Sequence, residues 1–118
     1  MSLVKDIAPL IHGEIMEDEA SLLRASKDAS LFTVRPKAVA HPMNVEDIKT
    51  LVRYATSHTD VSLTARSGGT DMSGGPLSES IVVDMTTHFT RIGRVTGSSI
   101  HVEPGLYYRN MERKVRKK

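Results

Sequence analysis

Ten consecutive residues, Arg66-Ser67-Gly68-Gly69-Thr70-Asp71-Met72-Ser73-Gly74-Gly75, hold four of the eight glycines in this 118-residue chain. They follow directly on Val61-Ser62-Leu63-Thr64-Ala65, whose alternation of apolar and polar residues reads as a strand. Glycines set among small hydroxyl residues let a backbone take positive φ and turn several N–H groups toward one oxyanion. The chemistry such a stretch supports is the binding of a phosphate or diphosphate by main-chain amides. A Walker-type loop would end in Gly-Lys-Ser or Gly-Lys-Thr, whereas Gly74-Gly75 is followed by Pro76. The dinucleotide fingerprint G-x-G-x-x-G has a helix starting inside it, and neither its glycine spacing nor a helical period is present here. What remains is an amide-rich diphosphate loop, which points to a nucleotide-type cofactor. The competing reading is a plain glycine-rich surface turn. Two Gly-Gly pairs around Thr70, Asp71 and Ser73, between two buried-looking strands, weigh against it. Asp71 would repel a diphosphate, so its carboxylate is expected to point away or to accept from loop amides.

Other chemistries find less support. The chain has no cysteine, which excludes disulfides, thiolate metal sites and cysteine nucleophiles. His12, His41, His58, His88 and His101 fall in no H-x-x-x-H or H-E-x-x-H spacing, so no metal site is expected. Ser30, Ser67 and Ser73 lack a nucleophile-elbow context. Asp84 is a candidate hydrogen-bond acceptor at a strand end, with a structural role preferred. From Arg109 to Lys118 there are six Lys or Arg against the single Glu112. With only Phe32, Phe89, Tyr54, Tyr107 and Tyr108 as aromatics, this tail reads as a solvated helix end rather than a nucleic-acid surface. Net charge is +2, hydrophobic content 39% and charged content 25%, as expected of one soluble globular domain. No basic segment followed by a long apolar run opens the chain, and no apolar string approaches the roughly 18 residues of a membrane span. A cytoplasmic location is expected.

The elements that must position the loop follow from pattern. Residues 3–25 read as mostly helical, with Leu3, Ile7, Leu10 and Ile11 at helical spacing and Gly13 as a stop. Ser26 to Ser30 reads as a loop. Ala38 to Pro42 is a short strand, and Asn44 then caps a helix carrying Ile48, Leu51, Val52 and Ala55 on one stripe. Ile81 to Met85 has the composition of a strand buried on both faces. Arg91 to Val95 and Ser99 to Glu103 form a hairpin around Thr96-Gly97-Ser98; Pro104-Gly105 breaks it, and Leu106 to Lys118 is helical. The expected class is α+β of an α/β type, with a small parallel βαβ core, an antiparallel hairpin and flanking helices.

Four stretches in order resemble one family. They are Pro36-Lys37-Ala38-Val39-Ala40-His41-Pro42 with the capped helix Asn44-Val45-Glu46-Asp47-Ile48, the loop Arg66 to Gly75, Ile81 to Asp84, and Val102-Glu103-Pro104-Gly105. The family is the FAD-linked oxidases and dehydrogenases with the vanillyl-alcohol-oxidase or p-cresol-methylhydroxylase (PCMH) type of FAD-binding domain. The branch with D-lactate dehydrogenases and glycolate oxidase subunits is the most similar, and Ser26 to Ser30 also resembles a segment of it. The resemblance implies that the amides of Ser67, Gly68, Gly69 and Thr70 hold the FAD diphosphate, that the hydroxyls of Thr70 and Ser73 assist, and that Arg66 and Asp71 belong to the same loop. It implies that Gly74 and Gly75 let the chain pass close to the cofactor and that Pro104 and Gly105 approach the flavin. Some members bind FAD covalently through a histidine where this chain has Thr70, so FAD is expected to be non-covalent. Ser67 stands where the family has a glycine, which suggests a slightly altered loop.

By the same resemblance, residues 1–35 form an N-terminal helical segment and 36–118 the first FAD-binding subdomain. The second flavin subdomain and a substrate or cap domain would be absent, and no catalytic residue can be assigned. The expected function is the FAD-binding portion of an oxidoreductase acting on a small 2-hydroxy acid or alcohol. The alternative is an inactive remnant serving as a binding or interaction module. The expected partners are FAD and either the missing part or a second copy, met through an exposed apolar face.

Overall fold

In chain order the elements are α1 (Leu3–Ile7), a 3-10 turn (Ala8–Leu10), β1 (Glu14–Met16), α2 (Glu19–Ala25), β2 (Ala38–His41), α3 (Val45–Ser57), β3 (Leu63–Arg66), β4 (Ile81–Asp84), β5 (Ile92–Thr96), β6 (Ser99–Val102) and α4 (Tyr108–Arg116), in a computed structural model that describes residues 2–117. The central sheet runs β1-β2-β4-β3, with β2, β4 and β3 parallel and β1 antiparallel at the edge. Side chains alternate across this sheet, as the strand period requires. Ala38, Ala40, Ile81 and Val83 face one way and pack with Ile7, Ile11, Ile15, Leu51 and Phe89. Val39 and Val82 face the other way, against Leu22 and Ala25 of α2. Both faces of β2 and β4 are therefore covered, which is why their sequences are apolar without alternation. This is the small parallel core that the sequence implies, and β5 and β6 add the separate antiparallel hairpin around Gly97.

The helices begin where short polar side chains cap them. Asp18 accepts from the Ser21 amide at 3.1 Å and Asn44 Oδ1 from the Asp47 amide at 2.9 Å. Residues 3–25 are mostly helical, as expected, but a short strand interrupts them. Pro9 sits in the tight turn that follows α1, and Glu14–Met16 is a strand with Ile15 buried between two exposed neighbours. Three residues are too few for alternation to show in sequence. Gly13 does not stop a helix; it leads into β1, whose Glu14 pairs with His41. Among the described residues no helix is long and apolar enough to cross a membrane. Lys118, placed at the end of the last helix by sequence, lies outside the described residues.

β3 and β4 are adjacent and parallel, yet residues 67–80 connect them without a helix. Parallel neighbours need a crossover of about a dozen residues or more, usually a helix. Here the glycine stretch is that crossover, so its position is fixed by the sheet at both ends. It starts beyond the carboxyl end of β3 and returns to Ser80, whose carbonyl accepts from the Lys37 amide and whose hydroxyl accepts from the Ser62 amide ahead of β4.

Candidate functional site

The loop is held from three directions. Arg66 leaves β3, donates to the Ala25 carbonyl at the end of α2 at 3.3 Å, and lies where a Gly69 side chain would otherwise be. Ser67 Oγ donates to the Pro104 carbonyl at 2.7 Å, tying the loop to the turn after the hairpin. At the far end, a Cβ on Gly74 would stand 3.1 Å from Phe32, so the ring of that residue closes the loop from the α2 side. Asp28 faces the same corner. The Ser30 hydroxyl holds its carboxyl below the usual range; partial burial opposes this, and the Ser30 and Gly74 amides and the charge of Arg66 add to it. Its Oδ2 is enclosed without a hydrogen-bond partner among the described residues. The polar segment before β2 is thus a buttress for the glycine loop.

Among the described residues positive φ occurs only at glycine, at 68° for Gly69, 84° for Gly74 and 57° for Gly97. Gly69 and Gly74 are the loop positions where the backbone itself demands glycine. Ser67 needs no such freedom. Its hydroxyl instead makes the bond to Pro104.

Two cavities flank the loop. The larger, about 600 Å³, lies between Gly68, Thr70 and Asp71 on one side and Tyr107, Tyr108 and Arg109 on the other. The smaller, about 260 Å³, opens over the carboxyl ends of all three parallel strands, where His41, Arg66 and Asp84 are the terminal residues. Ligands of open parallel sheets sit beyond those ends. Ser67, Gly68 and Tyr107 line both cavities, so the front of the loop separates them.

The sequence-derived site residues divide accordingly. Arg66, Ser67, Gly68, Thr70 and Asp71 are brought to cavity walls. Gly69, Ser73, Gly74 and Gly75 form the body of the loop behind them. Asp71 folds back, with a Cβ on Gly75 only 2.9 Å from its Oδ2, while still bordering the larger cavity. Pro104 and Gly105 support the loop through Ser67 rather than lining either space. Asp84 ends its strand by accepting from the amide and hydroxyl of Thr86 at 2.8 and 2.6 Å.

Cavity residues that sequence reasoning did not assign to the site include Arg24, His41 and Tyr107. The one local signal for Tyr107 is its place in a Tyr-Tyr pair just after the Pro104-Gly105 turn. Four histidines have structural partners: His12 contacts Asp47, His41 contacts Thr87, His88 contacts Glu14, and His58 stacks on Tyr54.

Comparison with known proteins places this geometry. A family model described as an FAD binding domain matches residues 36–118. A D-2-hydroxyglutarate dehydrogenase of Escherichia coli K12 is 33% identical over 98 residues, covering 80% of this chain and 10% of that protein. Another from Pseudomonas putida is 33% identical over 85 residues, covering 68% of this chain and 8% of that protein. The chain therefore spans about a tenth of the length of these relatives. Among solved structures, 6-hydroxy-D-nicotine oxidase from Arthrobacter nicotinovorans superposes with a TM-score of 0.78 at 23% identity, over 91% of this chain and 24% of that one. Alkyldihydroxyacetonephosphate synthase gives 0.73 at 18% identity, over 87% and 22%. At such identities these two likenesses establish the fold.

Proposed function

This chain belongs to the FAD-binding domain family of FAD-linked oxidases and dehydrogenases with the PCMH-type fold, and we propose that its Arg66–Gly75 loop holds the FAD diphosphate non-covalently. The observation that carries the reading is the loop's placement: an amide-rich crossover at the carboxyl end of β3, with a cavity on either side of Ser67 and Gly68. The residues fit the group. Gly69 supplies a positive-φ bend of the kind that lets loop amides turn toward an anion, and Thr70, not a histidine that could bond to the flavin, stands on a cavity wall. When bound, a flavin supplies acceptance of a hydride, and the protein contributes binding and orientation. The substrate in an enzyme built on this domain is a small 2-hydroxy acid or related alcohol. The identity to the D-2-hydroxyglutarate dehydrogenases supports that class.

Calorimetric titration tests the reading. Saturable binding of FAD, tighter than that of FMN, is the expected result, with modest affinity because one chain face alone must offset the cost of immobilising the ligand. Gly69→Val forces a β-branched residue to φ 68° against the Arg66 guanidinium. It should weaken FAD by about tenfold or more, since strain of about 1–3 kcal/mol at that residue is relieved only by turning its amide away. FAD bound no better than FMN, or Gly69→Val binding FAD as the native chain does, would overturn the loop assignment.

The partner side of the proposal rests on exposed apolar residues near the loop, Leu31, Phe32 and Met72, which are 102%, 58% and 84% accessible. Such surface favours association. Sedimentation at rising concentration should show reversible self-association that Leu31→Ser with Phe32→Ser reduces; a strict monomer at all concentrations would count against it.

A further inference from the structure

We propose that Tyr107, at the junction of the two cavities, and Arg24, in the smaller one, divide the bound dinucleotide between them: Tyr107 stacks on one of its flat heterocycles and Arg24 pairs with its phosphates. The inference rests on the FAD reading above and extends it to two residues outside the loop.

The two cavities differ in chemistry as well as size. The larger is walled by the Tyr107-Tyr108 pair and has the volume for a ring system. The smaller carries the cationic residues Arg24 and Arg66 against the single carboxylate of Asp84, whose Oδ1 is already engaged by Thr86. Arg66 is partly committed to the Ala25 carbonyl. Arg24 is freer: it is exposed, and its Nη2 donates only at 3.4 Å to Ser21 Oγ, which itself donates to Asp18 at 2.7 Å. A guanidinium there can meet a phosphate through a planar fork.

Tyr107 stands at the junction. It lines both cavities, it is 54% exposed, and its ring packs over Gly68, where an added Cβ would stand 3.1 Å from Cε1. The ring is thereby placed against the loop while about half of the residue stays accessible. A held, half-exposed aromatic beside a phosphate-sized basic pocket is what a nucleotide needs, with its ring and phosphates a few bonds apart.

FAD titrations of the native chain, Tyr107→Leu, Tyr107→Phe and Arg24→Gln, each at low and high salt, test the division. Stacking is insensitive to ionic strength, whereas an exposed ion pair is screened. Tyr107→Leu should weaken FAD about fivefold or more at both salt concentrations, and Tyr107→Phe should bind as the native chain does. Arg24→Gln should weaken FAD about tenfold at low salt, with the gap closing at high salt. The visible absorption band of bound FAD belongs to the flavin alone. Its change in Tyr107→Leu would identify the flavin as the stacked ring; its constancy would identify the adenine. Native affinity in Tyr107→Leu, equal loss in Tyr107→Phe, or a salt-independent loss in Arg24→Gln overturns the division while leaving FAD binding standing. Failure of the native chain to bind FAD overturns both.

Discussion

Replacing Asp47 by alanine is expected to lower the unfolding free energy by about 3–5 kcal/mol, a large part of the roughly 5–15 kcal/mol available to a small domain. The side chain is 1% exposed. Its Oδ1 accepts from the His12 amide at 2.8 Å and faces His12 Nδ1 at 3.2 Å; its Oδ2 accepts from the amides of Gly13 and Met43 at 2.8 and 2.9 Å. One carboxylate thus ties the turn before β1 to the start of α3. Alanine would leave three amides without a partner. Asp47→Asn is not a conservative change, because its NH2 would have to face at least one of those donors. It should be nearly as damaging, and denaturant titration of both variants against the native chain measures this directly.

The same carboxylate gives a pH signature. Burial pushes its pKa up, but the amides of His12, Met43 and Gly13, aided by the His12 ring, more than offset this and hold it below the ordinary value of 3.8. The unfolded chain therefore takes up the proton first as pH falls. Stability from Asp47 is fully present above the unfolded value and is lost as pH drops through the lowered folded value. Unfolding midpoints should fall steeply below about pH 4, and in Asp47→Asn that part of the fall should vanish. An unchanged slope in the variant would show that the acids Asp18, Asp28 and Glu19 carry the effect, since their pKa values are also lowered.

Asp47 also marks how far sequence reaches. Its place three residues after Asn44 reads locally as helix capping, and the cap is there. The clamp on His12 and Gly13 is not readable, because those amides lie 35 and 34 residues away and nothing in their own identity advertises a carboxylate partner. β2 and β4 are legible because burial on both faces demands unbroken apolar runs. β1 is not, since pairing with β2 rather than its own composition makes Glu14–Met16 a strand. The loop is legible for a different reason: a backbone that must take positive φ at Gly69 and Gly74 writes that demand into residue type. The cavity walls escape such reading. Arg24, His41 and Tyr107 come from α2, β2 and the residue before α4, and only the assembled sheet brings them beside Ser67.

Gly105→Ala is the second substitution with a large expected effect, about 3 kcal/mol or more of lost stability, because the obstruction is backbone rather than a yielding side chain. A Cβ there would overlap the Met85 carbonyl and stand 2.6 Å from the Phe89 carbonyl oxygen. Neither group can retreat freely. The Phe89 amide donates to the Met85 carbonyl at 3.1 Å, and the Gly105 amide donates to the Phe89 carbonyl at 2.7 Å. The whole turn must move instead, carrying with it Pro104, whose carbonyl anchors Ser67. Stability and ligand affinity should therefore fall together. Ser67→Ala separates the two, since losing one exposed hydrogen bond costs only about 0.5–1.5 kcal/mol and leaves the turn in place. If the turn positions the loop, amide exchange at Ser67, Gly68 and Gly69 should quicken in both variants, and FAD affinity should drop further in Gly105→Ala even at temperatures where it is fully folded. A Gly105→Ala variant within about 1 kcal/mol of native stability would mean that the turn is not packed against Met85 and Phe89 as described, and its support of the loop would fall with it.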